Sequence, residues 1–359
     1  MSTPDTCISS FIPLSSQVAP QVLKTTAGDY LICWRLEGLP FVGREEWELE
    51  HRHATFNRLL QSLRAPDYVN VAFWTHDVRR RGTVHSDACF DERFNQQLSD
   101  AYFKVLSEQK VLQNQLYFTL IYRPVVEGRH LVERSSDLSQ LRAEQDQAIA
   151  KVLELAGHVE AVLHDYVPTR LGMYESEEGT VFSEALEFYS YLLNRSDDPV
   201  PVLSAPVYEY LPLSRHLFSA RGGDFVVRTP EGSNHYGAVL NVKEYPDATW
   251  PGVLNGLKYL DFEYVITQSF TPHSRHAGLR ALERTKGMMI SSGDRGVSQI
   301  IELDQAMDEL ASGNFVLGEY HFTLALYGTS QEVLQRQIAE AVGRVLHEQM
   351  LGFNGRVQK

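Results

Sequence analysis

The residues whose types and spacing could do chemistry are two small sets of histidine and glutamate side chains. Glu319 and His321 lie two residues apart in a segment that alternates as a strand does, so a carboxylate could orient an imidazole on one sheet face. His273 and His276 could share a helix face at a spacing of three, but no third ligand is indicated, and zinc requires three or four. Both sets are also common on ordinary protein surfaces. The first set keeps open the hypothesis of an enzyme that acts on a small molecule.

Signatures of nucleotide binding and hydrolysis are absent from the sequence. No GxxxxGK[ST] phosphate loop, GxGxxG fingerprint, HExxH motif or GxSxG nucleophile elbow occurs in the 359 residues. The segment 291–296 (SSGDRG) lacks the Lys-Ser/Thr pair and does not follow a predicted strand, which indicates a turn between helices. We therefore predict that this chain is not itself an enzyme and that it holds no catalytic, cofactor-binding or metal-binding residue.

The most concentrated basic cluster in the sequence is Arg79, Arg80 and Arg81, which directly follow a strand-like segment. Three adjacent arginines at a strand end could contact phospholipid head groups, an acidic partner or a neighbouring subunit. The alternative is that they form ion pairs with Asp and Glu side chains of their own surface. The formal net charge of the chain is −13, which disfavours nucleic-acid binding because that affinity depends on clustered cations.

Composition is typical of a globular protein with room for two domains. Hydrophobic residues make up 43% and charged residues 22% of the chain. The three cysteines, Cys7, Cys33 and Cys89, are far apart and form no CxxC pair, which favours a reducing cytoplasm over a disulfide framework. Met1 is followed by polar residues, and no apolar run approaches the ~20 residues that span a bilayer. We predict a cytoplasmic protein that does not cross a membrane but could lie against one.

Hydrophobic periodicity predicts the order strand, helix, strand, helix, strand, helix twice along the chain. The first set has strands at 30–36, 69–78 and 115–122 and helices at 45–63, 91–106 and 138–164. The second set has strands at 235–245, 262–270 and 315–327 and helices at 251–258, 274–290, 297–310 and 331–348. This order predicts an α+β fold with two split βαβ (ferredoxin-like) units, mainly antiparallel sheets and added helices.

A short internal repeat supports the duplication. Leu116–Tyr122 returns as Tyr320–Tyr327, and the two Phe-Thr-Leu cores lie 204 residues apart (322 − 118). We predict a first α/β unit at 1–195, a Pro- and Gly-rich linker at 196–234 and a second α/β unit at 235–359.

Three faces are predicted from side-chain periodicity. The helix at 182–194 carries an aromatic stripe that favours burial in the core. One face of the helix at 91–106 is apolar, with Phe90, Phe94, Leu98, Tyr102 and Val105. Alternation along the second repeat strand predicts a core face made of Val316, Tyr320, Phe322, Leu324 and Leu326.

Five collinear stretches carry a resemblance to a known family. They are Phe73–His76 with Val78–Arg81, Leu116–Val125, Phe182–Asn194, Glu244–Thr249 with Pro251 and Gly252, and Ser312–Gly328. In this order they resemble the N-terminal region of the conjugation and type IV secretion ATPases, the CagE/TrbE/VirB family. The resemblance runs from about Phe11 to Leu346.

The resemblance implies a subunit of the bacterial inner-membrane machine that assembles a pilus and exports DNA or protein. Members of the family are cytoplasmic, lie peripherally at the inner membrane, dock on inner-membrane subunits and self-associate. ATP and Mg²⁺ are implied for a RecA-like domain that follows the matched region, and this chain ends at Lys359 before any such motif. We therefore expect an N-terminal assembly or docking module. A nucleic-acid-binding module that contacts transferred DNA, and a small-molecule enzyme at Glu319 and His321, stay open as alternatives.

Overall fold

A computed structural model describes residues 7–39, 43–62, 70–82, 89–108, 111–124, 138–212, 216–219, 223–229, 232–244, 252–291, 297–350 and 356–358. The strands are β1 (Leu14–Ala19), β2 (Val22–Thr25), β3 (Tyr30–Leu36), β4 (Val71–Arg81), β5 (Leu112–Tyr122), β6 (Pro168–Arg170), β7 (Met173–Glu175), β8 (Val181–Ser183), β9 (His216–Ser219), β10 (Asp224–Arg228), β11 (Asn234–Glu244), β12 (Tyr264–Pro272), β13 (Gly318–Gly328) and β14 (Arg356–Gln358). The α-helices are α1 (Glu46–Ser62), α2 (Arg93–Glu108), α3 (Leu138–Leu163), α4 (Glu184–Asn194), α5 (Val207–Tyr210), α6 (Arg275–Ser291), α7 (Val297–Ser312) and α8 (Gln331–Met350).

The α+β class and the mainly antiparallel pairing are confirmed. The main sheet has the strand order β1-β2-β3-β5-β4-β12-β13-β11-β10-β9, with β6 beside β3, β14 beside β11, and β7 and β8 in a separate pair. The three predicted strands of the first repeat are β3, β4 and β5, and they lie in the order β3-β5-β4. The three of the second repeat are β11, β12 and β13, and they lie in the order β12-β13-β11. In each set the repeat strand, β5 or β13, is the middle one, as a split βαβ unit requires. The two sets lie in one sheet rather than in two, which leaves fewer open strand edges.

The described residues divide into two units that take alternate parts of the chain. The first draws on Met1–Thr75, Tyr117–Leu213 and Gln268–His321, and the second on His76–Leu116, Ser214–Thr267 and Phe322–Lys359. The sequence boundaries at 195 and 235 stay a prediction. The segment predicted as a linker contains α5, β9 and β10, and β10 and β11 pair in antiparallel register from Asp224↔Ala238 to Arg228↔Asn234.

The core of the first unit forms on both faces of β3. Alternate residues Tyr30, Ile32 and Trp34 pack with the α3 residues Val152 and Val159, and all five are buried. On this face the ring centroids of Trp34 and Phe118 lie 6.0 Å apart.

The opposite face of the same strands is covered by α4. Its aromatic side chains are buried, as predicted, and the rings of Phe188 and Tyr117 stack with centroids 4.0 Å apart. Thr119 donates a hydrogen bond to the sulfur of Cys33 at 3.4 Å. Burial raises the pKa of the Cys33 thiol to about 12, so this cysteine is a core residue without nucleophilic character.

The core of the second unit lies under α8. Phe322, Leu324 and Leu326 of β13 are buried there, which confirms most of the predicted core face. The prediction that Tyr320 belongs to this core face is wrong, because its side chain is 43% exposed. Its hydroxyl donates to Gln268 Oε1 at 2.7 Å, and this hydrogen bond holds the ring at the surface.

Candidate docking surfaces

The three arginines at the end of β4 have different environments. Arg79 is half-buried, and its Nη1 donates to Asn114 Oδ1 at 2.9 Å. Arg81 is exposed, and its backbone N–H donates to Glu263 Oε1 at 3.0 Å. Arg80 is half-buried and makes its own contacts. Arg79 therefore contacts a neighbouring strand, and of the three arginines only Arg81 is exposed.

Ionisable groups lie near Arg79. Burial raises the pKa of the Asp77 carboxyl, while the nearby Lys258 and Arg79 cations oppose that rise. Burial, with the Asp77 charge adding to it, also raises the pKa of Tyr264. Asp77 and Arg79 lie on the same face of β4 by alternation. For Arg79, this arrangement supports the alternative that the arginines pair with acidic groups of their own surface.

His76 lies between the buried part of β4 and the arginines. Its burial predicts that the folding stability of the chain falls at acid pH. The residue is 4% exposed, and burial lowers its pKa from 6.5 to about 4. Between these two values the unfolded chain binds a proton that the folded chain does not, so stability falls as pH drops from 6.5 to 4. We expect His76→Gln to remove up to about 3 kcal/mol of this fall.

Urea unfolding of both proteins at several pH values from 7 down to 4 tests this expectation. The opposing contribution of Asp77 is present in wild type and variant alike, so the difference between the two curves reports His76. Curves that stay parallel over this pH range would show that folding does not lower the pKa of His76.

The histidine and glutamate sets do not form a chemical site among the described residues. Glu319 and His321 are both exposed on β13. His273 precedes α6, and its backbone N–H donates to Leu317 O at 2.8 Å, so it shares no helix face with His276. No cluster of three or more His, Cys, Asp and Glu side chains that could hold a metal ion occurs in the described part of the chain. Of the SSGDRG segment, Ser291 ends α6, and 292–296 lie outside the described residues.

A set of exposed apolar side chains lies on α2 and directly before it. The predicted face of α2 is intact, and within the described part of the chain its side chains are exposed. The exposed fractions of these side chains run from 46% to 71%, in Phe90, which precedes the helix, and in Phe94, Leu98, Tyr102 and Val105. Periodicity identified these residues, but it could not show that they lie at the surface, since a buried helix has the same pattern. We call these five residues the α2 face.

An exposed apolar area of this kind is a sign of a binding surface. Phe, Tyr and similar side chains bury 150–250 Å² each, so five side chains about half exposed offer roughly 500 Å². A protein–protein interface of standard size takes about 800 Å² from each partner. The α2 face could therefore supply the apolar centre of one such interface.

Comparison with known proteins identifies the family of the chain. The family model described as "CagE, TrbE, VirB family, component of type IV transporter system" matches residues 169–353. A second, described as "Type IV secretion system ATPase VirB4/TrbE, N-terminal domain", matches residues 21–129, which include α2. The chain belongs to the CagE/TrbE/VirB family. The resemblance seen in the sequence is thereby confirmed.

Curated relatives extend the match over nearly the whole chain. The type IV secretion system protein virB4 of Brucella suis is 34% identical over 344 residues, which are 93% of this chain and 41% of the relative. PtlC of Bordetella pertussis is 31% identical over 94% of this chain and 41% of its own length. The virB4 protein of Bartonella quintana is 28% identical over 92% and 42%. The chain thus spans about two-fifths of the length of these relatives.

Within the described ranges, every helix is too short or too polar to cross a bilayer.

Proposed function

We propose that this chain is the N-terminal assembly and docking module of a type IV secretion ATPase. It positions the ATPase on the inner-membrane complex for pilus biogenesis and substrate export, from a cytoplasmic, peripheral location. The observation that carries the proposal is the α2 face, which is exposed in the described part of the chain and lies within the VirB4/TrbE N-terminal match. An apolar helix face of this kind packs against an apolar segment of another protein.

The charges on α2 favour a protein over a lipid surface as the partner. Helices that lie on membranes are rich in Lys and Arg on their polar side. In α2 the two cations Arg93 and Lys104 are balanced by the two anions Asp100 and Glu108, so attraction to anionic lipid is weak. We therefore assign to the α2 face an apolar helix of an inner-membrane subunit.

Two further parts of the proposal concern residues and cofactors. We keep Arg79, Arg80 and Arg81 as a second contact to anionic lipid or an acidic partner, with Arg81 as the most accessible of the three. We place ATP and Mg²⁺ binding, and hydrolysis, in the part of the relatives that this chain does not cover. In this proposal the 359-residue chain hydrolyses ATP no faster than background.

The proposal is tested by fractionation of bacteria that produce this chain with and without the inner-membrane subunits of a secretion system. We expect the chain in the membrane fraction only when those subunits are present. Arg81→Glu tests the second contact in the same assay and should lower the bound fraction by less than half. Binding that is equal with and without the subunits would identify lipid as the partner and contradict docking. ATP hydrolysis by the purified chain, above that of a heat-inactivated sample, would contradict the non-catalytic role.

A further inference from the structure

The short strand β9 lies at one end of the main sheet. It pairs with β10 from Phe225↔Ser219 to Arg228↔His216 without a register shift. Among the residues that the structure describes, no strand pairs with its other side. In an antiparallel pair, half of the backbone N–H and C=O groups point away from the neighbouring strand. β9 therefore presents hydrogen-bonding groups along this edge.

The side chains of β9 do not protect this edge against pairing. Leu217 and Phe218 are 58% and 48% exposed. Edge strands commonly avoid pairing with other chains through a lysine, a proline or a bulge, and the four residues of β9 (HLFS) include none of these. A regular edge with exposed apolar side chains is a template on which another chain can add a strand.

One face of this edge carries a fixed cation. By alternation and register, His216, Phe218 and Arg228 share that face. The guanidinium of Arg228 lies over the ring of Phe218, 5.4 Å from its centroid, and the Nε atom donates to Asn234 Oδ1 at 3.1 Å. Arg228 is exposed. These two contacts hold a positive charge above β9, next to the open edge.

The opposite face of the edge is apolar. Leu217 pairs there with Val227, and Phe225 lies on the same face of β10. The ring of Phe225 covers Gly237 of β11, since a Cβ atom at Gly237 would lie 2.2 Å from that ring. The ring centroids of Phe225 and Tyr327 lie 6.5 Å apart. Apolar side chains therefore continue from Leu217 toward the interior of the sheet.

We propose that β9 binds an extended segment of another protein in which acidic and apolar residues alternate. The added strand continues the sheet, because the backbone of β9 supplies its hydrogen bonds. Its acidic side chains lie on the face of Phe218 and Arg228, and its apolar side chains lie on the face of Leu217. This contact is separate from the α2 face and goes beyond the docking role proposed above.

The charge around β9 favours an acidic partner. Residues 214–228 include three arginines and one aspartate, a net charge of +2 (3 − 1) in a chain whose net charge is −13. The aspartate, Asp224, is buried and accepts hydrogen bonds from Gln331 and Gln335. A second copy of β9 in antiparallel pairing would bring both Arg228 side chains to the same face of the joined sheet. That like-charge contact disfavours a second copy as the occupant.

Binding of synthetic peptides to the 359-residue chain tests the proposal. The probe is a fluorescently labelled peptide of repeated Glu-Val pairs, and its affinity is measured by fluorescence anisotropy. One comparison peptide has the same composition with its glutamates and valines in two blocks, and another has lysine in place of glutamate. We expect the alternating Glu-Val peptide to bind at least tenfold more tightly than either. Higher salt should weaken its binding.

Methylation of the peptide amides distinguishes strand addition from other contacts. Only every second N–H group of an added strand faces the strand beside it. Methylation of that alternate set should therefore weaken binding at least tenfold. Methylation of the other set should change the affinity by less than threefold. This comparison leaves the protein unaltered, so it does not depend on the folding of a variant.

Two variants of β9 and β10 have matched controls elsewhere in the chain. Arg228→Glu and Leu217→Asp change exposed side chains, and each should weaken binding of the Glu-Val peptide at least fivefold. Arg142→Glu reverses an exposed charge on α3, and Leu98→Asp changes an exposed leucine of the α2 face. Both control variants should bind the peptide as the wild type does.

Several results would overturn the proposal. They are no binding of the Glu-Val peptide, equal binding of the block or lysine peptide, and equal losses from the two methylated sets. A chain that self-associates without peptide and becomes monomeric in Leu217→Asp would identify a second copy as the occupant, which also contradicts the proposal. Because no secretion subunit is present, these outcomes are independent of the docking test.

Discussion

Replacing Phe94 and Leu98 together by aspartate is expected to weaken docking on the inner-membrane subunits at least tenfold. The two side chains are 71% and 59% exposed, so they contribute little to folding and are available to a partner. Burying such a side chain fully contributes about 1.5–3 kcal/mol, and 1.4 kcal/mol corresponds to a tenfold change in affinity. Aspartate also introduces charges that the interface would have to desolvate. Co-purification with the inner-membrane subunits, quantified against wild type, measures the loss.

The matched control is Tyr259→Asp, which changes an apolar side chain that is 72% exposed and lies outside the α2 face. This variant should dock as the wild type does. The thermal midpoint of the double variant should stay within a few degrees of wild type, because exposed side chains are replaced. A double variant that is stable and docks normally would exclude the α2 face as the docking surface.

Replacing Trp34 by alanine is expected to cost about 3–5 kcal/mol of folding stability, a large share of the 5–15 kcal/mol of a typical domain. The side chain is 0% exposed, and its Nε1 donates to Glu160 Oε1 at 2.6 Å. Glu160 also binds Arg170. Burial raises the pKa of the Glu160 carboxyl, but the hydrogen bonds from Arg170 and Trp34 outweigh it, and the net shift is downward. Loss of the indole therefore leaves a cavity and removes one donor from a charged acceptor.

Urea unfolding of two variants separates these contributions. Trp34→Phe keeps most of the buried ring but lacks the donor, so it should cost less than Trp34→Ala, by at least about 1 kcal/mol. Leu203→Ala, at a side chain that is 49% exposed, should cost under about 1 kcal/mol. A cost below about 1 kcal/mol for Trp34→Ala would show that the β3–α3 core is packed differently from the structure.

Much of the fold could be predicted because its strands and helices have strong periodicity. The strand predicted at 30–36 is β3 without change, and the helix predicted at 138–164 is α3 to within one residue. The short strands β9 and β10 were not predicted. They have four and five residues and lie in a Pro- and Gly-rich segment, where turn residues outweigh alternation. β9 pairs with β10, and β10 pairs with β11.

The candidate surfaces could be predicted only in part, because exposure depends on what packs against a face. The sequence identified the apolar face of α2 and the three arginines. It could not show that the side chains of the α2 face are exposed, or that Arg79 donates a hydrogen bond to Asn114 while Arg81 is exposed. Tyr320 shows the same limit: alternation assigned it to the core, and a hydrogen bond to Gln268 keeps it at the surface.

The central claim, that the α2 face contacts another subunit of the secretion machine, is tested most directly by crosslinking. A photoreactive amino acid replaces Leu98 in the full-length ATPase within the assembled machine, and Tyr259 in a parallel sample. The account predicts a crosslink from position 98 to an inner-membrane subunit, and much less from position 259. Crosslinks from position 98 to lipid alone, or no crosslink in a machine that still exports its substrate, would contradict it.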